Sequence, residues 1–527
     1  MNQSVDLIVI GGGATGAGIA LDAALRGLSV TLFEQNDFGE GTSSRSTKLV
    51  HGGVRYLEAA IKHFDIEQWK LVREGLRERK IFLRNAAHLA HPIELITPLY
   101  KWYELPYVYA GLFLYDLISG RSSLGRSRLL TAKTALRRNS AIDPQALKGA
   151  VSYFDGAFND ARMVIALIQS AEAAGAAVHN HHAVTQLIKD TDGDIVGVDV
   201  HDKLTDTHLQ HAATSVINAT GPFADTLRQL DDPSASPLVE TSSGIHIVLP
   251  ARFLPSSLGV MIPKTSDGRL LFALPYQGYC LVGTTDQPSA LDTHPPVTEE
   301  EIDFLLEHLN HYFALKASRK DILSTFSGLR PLIATEANAS TASLVRESEY
   351  RFSTSGLLTV AGGKWTAYRA MAQKAVDLIL EHNPSLSSRP CATAEHSLIG
   401  SQTSRQETLK HLNHHPQLAP LSKHLYAHYG DQSLHIADHA QHTDDLVPLL
   451  DSPPITRAEM RYAVRKEHAQ KPLDFLVRRC GLGLVERKKA LTLLPEIITI
   501  MAEEFQWNSQ KKNEMENEAE HLLSTSI

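Results

Sequence analysis

A glycine-rich run near the start of the chain has the residue types and spacing of a phosphate-binding turn. Gly11 to Gly16 (GGGATG) satisfies the pattern GxGxxG. In this pattern Gly11 permits a tight turn, Gly13 lets a pyrophosphate approach the backbone, and Gly16 allows a helix to pack closely on a strand. Glu34 follows about 20 residues later, where a carboxylate can accept hydrogen bonds from an adenosine ribose. The spacing predicts a dinucleotide-binding site.

The elements that must hold this turn are indicated by the flanking sequence. Asp6 to Ile10 predicts a buried strand, and Ala14 to Arg26 predicts a helix that ends at Gly27. Leu28 to Phe33 predicts the next strand. A strand, helix and strand in this order imply a parallel sheet that binds its ligand at the carboxyl ends of the strands. The phosphates would lie against the free N–H groups at the start of the helix.

Two later segments favour FAD over NAD as the dinucleotide. Val216 to Pro222 is a strand that ends in an Ala-Thr-Gly turn, which commonly returns the chain to the cofactor in FAD proteins. Ala361 to Lys364 precedes a helix that we expect to begin near Thr366, with its N-terminus toward the flavin. Negative charge develops on the flavin when it is reduced, so the helix dipole would stabilise the reduced form.

The segment Thr42 to Glu58 (TSSRSTKLVHGGVRYLE) resembles the second signature of the FAD-dependent glycerol-3-phosphate dehydrogenases. Further segments that match this family in order and spacing are Asn159 to Arg162, Gly283 to Asp286, Gly328 to Leu332, and Gly362 to Lys364 with Tyr368 and Arg369. The similarity extends from Asp6 to Arg369, and Glu467, Asp474, Arg478 and Arg479 fit a weaker family pattern beyond it.

The resemblance implies an α/β protein in three parts. These are a glutathione-reductase-type, Rossmann-like FAD-binding domain, a substrate domain built on an antiparallel sheet, and an all-helical C-terminal domain. The oxidoreductase region is expected over 1–388, with FAD-binding parts at about 1–90, 150–240 and 350–385, substrate-binding parts at about 91–149 and 241–349, and the helical domain over 389–527.

The resemblance also implies the roles of individual residues. A small dianionic substrate needs several cations, and the arginine fork can bind two phosphate oxygens at once. The implied substrate-binding residues are Arg55, Tyr56, Arg330, Arg346 and Lys364. The implied cofactor-binding residues are Gly11, Gly13, Thr15, Gly16, Glu34, Thr42, Ser43, Ser44, Lys48, Leu49, His51, Gly52, Gly221, Gly362, Gly363 and Lys364. No metal ligand is expected; Asp190 to Asp194 predicts a turn, because Ile195 occupies the position where a calcium loop requires Gly.

The implied reaction moves a hydride from C2 of the substrate to flavin N5, while the proton of the C2 hydroxyl leaves to a base. Histidine suits this task near neutral pH. His51 and His246 both lie in matched segments, and the sequence leaves open which one is the base and which contacts the flavin. Arg330 and Lys364 are catalytic candidates as well, because cations stabilise a developing alkoxide. The chain departs from the family pattern at Ser243, Trp365, Ala367 and Lys471.

The expected function is oxidation of sn-glycerol 3-phosphate to dihydroxyacetone phosphate, with electrons passing to a membrane quinone of the respiratory chain. The alternative is a glycerol-3-phosphate oxidase that uses oxygen and releases hydrogen peroxide, although these oxidases usually carry a central insertion for which the sequence has no clear candidate. An amino-acid oxidase and a flavoprotein without catalysis are less favoured, because the set of cations and both histidines are present.

Composition limits the remaining possibilities. A chain of 527 residues with 43% hydrophobic residues predicts two or three globular domains. A net charge of -8 argues against a nucleic-acid partner and requires any contact with anionic lipid to be local. Cys280, Cys391 and Cys480 form no CxxC motif, which favours a reducing compartment. We expect neither a signal peptide nor a membrane-spanning helix.

The resemblance implies a homodimer bound, as a peripheral or monotopic protein, to phospholipid at the inner face of the bacterial cytoplasmic membrane. The segment Leu105 to Ile118 is either a buried lid or a segment in the membrane interface. Candidate contacts are the aromatic stretch Tyr100 to Tyr115 and two basic helices predicted at Arg457 to Lys466 and Arg478 to Lys489. Asn508 to Glu520 is polar enough to be disordered, and the histidines between 411 and 442 are expected on solvated helix faces.

Overall fold

The computed structural model describes residues 4–53, 66–334 and 348–525. The strands in chain order are β1 (Val5–Ile10), β2 (Val30–Phe33), β3 (Leu49–Val50), β4 (Ala90–Leu99), β5 (Arg128–Thr131), β6 (Gly149–Phe158), β7 (Ala177–His179), β8 (His182–Lys189), β9 (Ile195–Asp202), β10 (Thr207–Asn218), β11 (Val239–Pro250), β12 (Gly259–Ile262), β13 (Leu271–Tyr276), β14 (Tyr279–Gly283), β15 (Gln287–Pro288), β16 (Ser324–Ile333), β17 (Ser348–Phe352) and β18 (Leu358–Gly362).

The helices in chain order are α1 (Ala14–Leu25), α2 (Ile66–Asn85), α3 (Glu104–Ser119), α4 (Ala132–Arg138), α5 (Asp160–Ala173), α6 (Ala224–Asp231), α7 (Glu299–Tyr312), α8 (Tyr368–His382), α9 (Arg405–His414), α10 (Ser422–Tyr429), α11 (Arg457–Lys466), α12 (Leu482–Val485), α13 (Arg487–Phe505) and α14 (Ser509–Ser524). Short 3-10 turns at Thr42–Ser44 and Trp365–Ala367 and a π-helical turn at Asp474–Arg479 also matter for the site.

The first sheet carries the glycine-rich turn. Its strand order is β17-β18-β10-β1-β2-β7, and β1 runs parallel to both β10 and β2. The last four residues of β1 are fully buried, as expected for a parallel strand covered on both faces. Helix α1 packs on the sheet together with α5 and α8, and Gly18 allows the ring of Tyr368 to approach closely. The β8–β9 hairpin adds to the sheet through β10.

The second sheet lies beside the first and has the order β15-β11-β14-β13-β12-β4-β6-β3, with β16 paired to β11 and β5 to β6. Its described pairs are antiparallel except β12 with β4, which is parallel. Strand β6, which begins at the predicted boundary near residue 150, pairs with β4 over Gly149 to Phe158 and so belongs to this second sheet. Helix α7 buries Leu305 and Leu309 against the sheet.

The residues from 363 to 525 form helices and turns and contain no strand. Helices α11, α13 and α14 enclose a core that reaches the second sheet through Val248, Leu281 and Phe326. The predicted fold class, an FAD-type α/β region followed by a helical domain, is confirmed.

Two expectations about the helical domain were wrong. The polar segment Asn508 to Glu520 is not disordered but lies in α14, because Met515, Ala519 and Leu523 recur every four residues and form one buried face. The residues Arg478 to Lys489 do not form one basic helix, since Gly481 adopts φ 77° and breaks the chain into separate turns.

The histidine-rich segment is only partly solvated. His411, His414, His435 and His442 are exposed, as predicted. His424 instead bonds the buried carboxylate of Glu459 at 2.8 Å, and burial lowers the pKa of His428 to about 3. For these two histidines the sequence-based prediction was wrong, because the tertiary packing of α10 against α11 covers them.

Candidate active site

A cleft of about 1150 Å³ lies where the carboxyl ends of β1, β2, β10 and β18 face the second sheet. One end is lined by the glycine-rich turn and the loop after β2, and the other by residues of β11 and β16 and of the segment after β14. Ligand binding at the carboxyl ends of parallel strands was the expectation from the sequence, and the cleft lies there.

The glycine-rich turn forms a cradle that no larger residue fits. Gly11 has φ 110°, and a Cβ at this position would lie 2.6 Å from the carbonyl oxygen of Ala219. A Cβ on Gly13 would come within 3.0 Å of Ser43 Oγ, at the mouth of α1. Gly16 does not line the cleft; a Cβ there would overlap the carbonyl oxygen of Gly11, so this glycine allows the turn to close. The cradle fits the pyrophosphate of a dinucleotide.

Glu34 lines the cleft at the end of β2, as predicted for a ribose-binding carboxylate. Its Oε2 accepts the Gly12 N–H at 2.7 Å, and its Oε1 accepts the Asn36 N–H at 2.9 Å. Burial raises the pKa of this carboxyl above its usual value, against the opposing effect of the two hydrogen bonds. Each carboxylate oxygen can accept a further bond, so the group remains suitable for ribose hydroxyl donors.

The family signature places its residues on two sides of the backbone. Thr42, Ser43, Leu49 and His51 of the signature line the cleft, as does Thr15 of the glycine-rich turn. The Ser43 Oγ accepts the Ala14 N–H at 2.9 Å.

Ser44, Lys48 and Gly52 do not line the cleft. The ammonium group of Lys48 is buried and donates to Asp160 Oδ1 and to the Ser44 carbonyl at 2.6 Å each. It thus stabilises the signature segment without lining the cleft. The expected direct role of Lys48 at the cofactor is therefore replaced by a buried ion pair, because Asp160 at the start of α5 supplies the compensating charge.

Gly52 is pressed against α2 and α3. Its N–H donates to the hydroxyl of Tyr115 at 2.9 Å, and the same hydroxyl accepts from Arg79 at 3.2 Å. Since Thr366 also donates to the His51 carbonyl at 3.2 Å, the backbone of His51 and Gly52 is held from both sides.

His246 lies on β11 and is 2% exposed. Its ring stacks on Phe326, and its Nε2 lies 3.0 Å from Thr47 Oγ1, whereas its buried Nδ1 has no hydrogen-bond partner among the described residues. Burial, reinforced by the positive charges of Lys48 and Arg330, holds the pKa of this imidazole well below its usual value. His246 is therefore a neutral imidazole at neutral pH, which is the form that can accept a proton.

Two glycines within the second sheet make room for the charged and titratable side chains. His246 faces Gly283 on β14, where any Cβ would overlap the imidazole ring. Gly244 faces Gly328 on β16, and a Cβ at Gly244 would overlap the guanidinium of Arg330. A glycine inside a strand often marks such a close approach, and this was the available sequence signal.

Arg330 lines the cleft, but its fork is engaged by the protein. Nη1 donates to the Ser243 carbonyl and to Asp286 Oδ1 at 3.1 Å each, and Nη2 donates to Thr284 Oγ1 at 3.1 Å and to the Thr285 carbonyl at 2.8 Å. These bonds fix the orientation of the cation, and the expected two-pronged grip on a phosphate stays a prediction. Its charge still faces the cleft.

Gly362 and Gly363 lead into the helix that was predicted to face the flavin. Gly221, Gly362, Gly363 and Lys364 all line the cleft, and the chain continues through the 3-10 turn into α8. Trp365, a departure from the family pattern, donates its indole N–H to the Ser43 carbonyl at 2.9 Å and so connects this turn to the signature segment.

The substrate-binding candidates are only partly within the described residues. Arg330 and Lys364 lie in the cleft together with both candidate histidines, His51 and His246. Arg55, Tyr56 and Arg346 lie outside the residues that the structure describes.

Arg269, Arg45 and Asp286 are among the lining residues to which the sequence gave no role. Arg269 lies beside Asp286, at 3.7 Å between Nη1 and Oδ2, so that this carboxylate is shared between Arg269 and Arg330. Arg45 is buried, which lowers its pKa to about 10, and it donates to the Ser327 carbonyl at 3.1 Å. Arg45 and Asp286 fall in segments that resembled the family, whereas Arg269 had no signal beyond its place after a glycine turn.

A parallel sheet with a glycine cradle and ribose carboxylate, facing a second sheet with a histidine and cations, defines a dinucleotide-dependent oxidoreductase. Comparison with known proteins specifies the class further. The model of the FAD dependent oxidoreductase family matches residues 6–369, and that of the C-terminal domain of alpha-glycerophosphate oxidase matches residues 391–512.

The mitochondrial glycerol-3-phosphate dehydrogenase of Homo sapiens is 40% identical over 532 residues, which cover 98% of this chain and 73% of that protein. The X-ray structure of the glycerol-3-phosphate dehydrogenase from Bacillus halodurans complexed with FAD matches with a TM-score of 0.82 and 32% identity, over 100% of this chain and 95% of that one. The L-alpha-glycerophosphate oxidase from Mycoplasma pneumoniae with FAD bound shares the fold, with a TM-score of 0.55 and 18% identity over 75% of this chain and 98% of that one.

The chain belongs to the FAD-dependent oxidoreductases and, within them, to the glycerol-3-phosphate dehydrogenase family.

Proposed function

We propose that the protein oxidises sn-glycerol 3-phosphate to dihydroxyacetone phosphate and passes the electrons to a membrane quinone. The observation that carries the proposal is the meeting, in one FAD cleft, of a buried neutral His246 with the cations Arg330, Arg269 and Lys364. The family to which the chain belongs supports the same substrate.

Each part of the site contributes a separate task to this reaction. Bound FAD would accept the hydride that leaves C2 of the substrate. The glycine cradle and Glu34 would hold its nucleotide part, and the cationic residues would attract the substrate phosphate and stabilise negative charge on the reacting oxygen. The electron pair of the C2–H bond would leave with the hydride, and the hydroxyl proton would pass to His246 or His51.

His246 is suited to take this proton. If the Thr47 hydroxyl accepts from Nε2–H, then Nδ1 carries a lone pair that no described residue occupies. A bound dianion would offset the charges of Lys48 and Arg330, which lower the pKa of His246, and would thereby make the imidazole a stronger base. His51 remains the alternative base, since it lies in the same cleft.

Anaerobic reduction of the bound flavin tests the substrate. Addition of sn-glycerol 3-phosphate to the FAD-loaded protein without oxygen should remove the visible flavin absorbance within a turnover. Glycerol, which lacks the phosphate, and amino acids serve as controls and should leave the absorbance unchanged. Retention of the oxidised spectrum with glycerol 3-phosphate, or reduction by an amino acid, contradicts the proposal.

The electron acceptor needs its own experiment. Under turnover, a soluble quinone analogue should be reduced at a rate that accounts for the substrate consumed, and little hydrogen peroxide should form. The alternative, an oxidase, is not favoured by its weaker structural match. Hydrogen peroxide in amounts equal to the substrate consumed would establish that alternative.

We also propose that the protein binds the phospholipid surface at the inner face of a bacterial cytoplasmic membrane, as a homodimer. No helix among the described residues has both the length and the hydrophobicity to cross a bilayer. Helix α3 offers an interfacial contact: Tyr107, Phe113 and Leu117 are exposed within about 120° of the helix circumference, while Leu112 and Tyr115 are buried opposite. Trp102 and Tyr103, just before the helix, are also exposed.

The two basic segments offer less support for a lipid contact. Arg457 and Arg465 on α11 pair with Glu496 and Glu504 of α13. Arg478 lies at a buried ion-pair cluster. Because these cations are already matched by carboxylates, we assign the lipid contact to α3.

Co-sedimentation with liposomes tests this assignment. Phe113→Asp and Leu117→Asp should reduce the fraction bound to vesicles of bacterial phospholipid, whereas Leu291→Asp, at an exposed leucine elsewhere, should not. Equal binding of all three variants removes α3 from the proposal. Light scattering of the protein as it elutes from a size-exclusion column would give its molar mass and so test the homodimer.

A further inference from the structure

The loop after β2 has two faces that serve different partners. Glu34 to Asn36 and Gly39 to Gly41 line the FAD cleft. Asp37, in the middle of the same loop, is 0% exposed and points away from the cleft into the helical C-terminal domain. A single loop thus connects the cofactor site with a domain that contributes no lining residue within the described part of the chain.

Two adjacent arginines of the π-helical turn hold this loop. Arg479 donates to both oxygens of Asp37, at 2.6 Å from Nη1 and 2.8 Å from Nη2. Arg478 donates from Nε to Asp37 Oδ2, and its Nη2 lies 3.5 Å from Glu40 Oε2. Glu40 itself lines the cleft, so Arg478 contacts a cofactor-site residue directly.

The surrounding groups complete the cluster. Asp474 accepts from Arg478 at 2.8 Å and lies 3.0 Å from His181 Nε2. Burial alone would raise the pKa of Asp37, but Arg479 and Arg478 outweigh it and hold the pKa well below its usual value. Asp37, His181 and Asp474 have the spacing of a metal site, yet their carboxylates are already matched by the arginines, so the cluster is an ion-pair network.

The ion-pair network restrains the conformation of the loop after β2. The loop backbone is tied to the first sheet by the His181 N–H at the Asn36 carbonyl, 2.7 Å, and by the Gly39 N–H at the Gly12 carbonyl, 3.0 Å. The side chains of Asp37 and Glu40 add further restraint. Asn180 donates to Asp37 Oδ1 at 3.0 Å and His294 lies 3.5 Å from Glu40, while the charged contacts of the C-terminal domain come from Arg478 and Arg479. Rigid groups behind a ligand-binding residue set affinity by reducing the ordering that binding requires.

We infer that Arg478 and Arg479 are positioning residues for FAD: by holding Asp37 and Glu40, they fix the loop from which Glu34 faces the cofactor. The helical domain therefore acts on the cofactor site through this loop, although it contributes no lining residue within the described part of the chain. This inference depends on FAD binding and is independent of the substrate and the electron acceptor proposed above.

The test compares FAD affinity with fold stability. Arg478→Gln removes the charge that contacts Asp37 and Glu40. The matched control is Glu467→Gln. It breaks another buried bidentate pair between the domains, with Arg162 at 2.6 Å and 2.6 Å, and its side chain contacts none of the described loop residues. The Glu467 carbonyl accepts from Arg479 Nε at 3.0 Å, and this backbone bond remains in the variant. The dissociation constant is measured by titrating FAD into apoprotein and following flavin fluorescence, and the apoprotein melting temperature is measured alongside.

Outer groups that orient ligands change affinity about 10- to 100-fold at metal sites, and we expect at least about a tenfold weaker FAD affinity for Arg478→Gln. The FAD affinity of Glu467→Gln should stay within about twofold of that of the unaltered protein, even if its melting temperature falls as much as that of Arg478→Gln. Arg478→Lys, which keeps the charge, should recover part of the affinity.

The inference is overturned if both variants bind FAD as tightly as the unaltered protein, or if both lose affinity to the same extent. A purely structural pair would change both proteins alike. If Arg478→Gln does not accumulate as folded protein, Asp37→Asn takes its place against the same control and the same criteria. Asn keeps the size and an acceptor oxygen while removing the charge that the arginines bind.

Discussion

The two ends of the cleft are built from different parts of the polypeptide. At the nucleotide end the contacts come from glycine backbone and from Glu34, whose two oxygens are already oriented by backbone N–H groups. At the catalytic end they come from side chains on β11, β16 and the segments beside the strands, and the buried Nδ1 of His246 and Nε of Arg45 have no described partner. The first end is closed by steric limits, whereas the second retains unsatisfied polar groups.

This difference teaches which changes each end tolerates. A backbone cradle fails when an atom is added, because the space for a Cβ does not exist. A site made of oriented side chains fails when a charge or lone pair is removed, because those groups supply the interactions with the ligand. Substitutions at the two ends should therefore separate cofactor affinity from reaction rate.

The largest effect is expected at His246. His246→Asn should slow anaerobic flavin reduction by glycerol 3-phosphate by about 10²- to 10⁴-fold, the range typical of a lost general base. The FAD content should stay the same, and stopped-flow absorbance measures the rate. His51→Asn is the comparison, and a larger loss there than at His246 would transfer the role of base to His51.

The nucleotide end should respond to an added methyl group. In Gly11→Ala the Cβ would meet the Ala219 carbonyl oxygen at 2.6 Å, and relief of such crowding costs about 1–3 kcal/mol, or about 5- to 150-fold in FAD affinity. Gly175→Ala is the control, since Gly175 has a similar φ of 105° but no atom within 4 Å of the Cβ position. Flavin retained equally by both variants would show that the cradle is not a steric limit.

A smaller effect is expected behind the catalytic end. Tyr115→Phe removes the acceptor of the Gly52 N–H, so the His51 backbone loses one of its restraints. We expect flavin reduction to slow by about tenfold, since misplacement of catalytic groups by about 1 Å can cost 10²-fold. Tyr109→Phe, on the same helix, is the control and should react at the normal rate. An unchanged rate of flavin reduction in Tyr115→Phe would show that the contact of α3 with Gly52 does not affect the reaction.

The smallest effect is expected from pH. Because the pKa of His246 is held well below its usual value, its imidazole remains unprotonated as pH falls through about 6.5, the ordinary histidine pKa. The second-order rate of flavin reduction at low substrate reports the pKa of the ligand-free protein. Expressed per dianionic substrate, it should stay nearly constant between pH 8 and pH 6.5, whereas a base with an ordinary pKa would lose about half its activity at pH 6.5. A loss of that size contradicts His246 as the base with a depressed pKa.

Much of the fold could be predicted from local sequence signals. The strand, turn and helix from Val5 to Leu25 agree with the prediction within one residue at either end, because a glycine turn between apolar runs has few alternatives. Both histidines and the cations Arg330 and Lys364 lie in the predicted cleft. The sequence could not show contacts between residues that are distant in the chain: Lys48 pairs with Asp160, and the guanidinium of Arg330 bonds to residues some 45 positions away.

The sequence by itself determined the cofactor class, the order of the elements and the residues able to do chemistry, since spacing within a motif is a local property. Only the tertiary structure decided which of these residues face the cleft and what their charges meet. The clearest case is Arg478, which looked like part of a basic surface helix and is instead buried against Asp37, 441 positions away. The energy of a buried charge depends on partners that no local pattern contains.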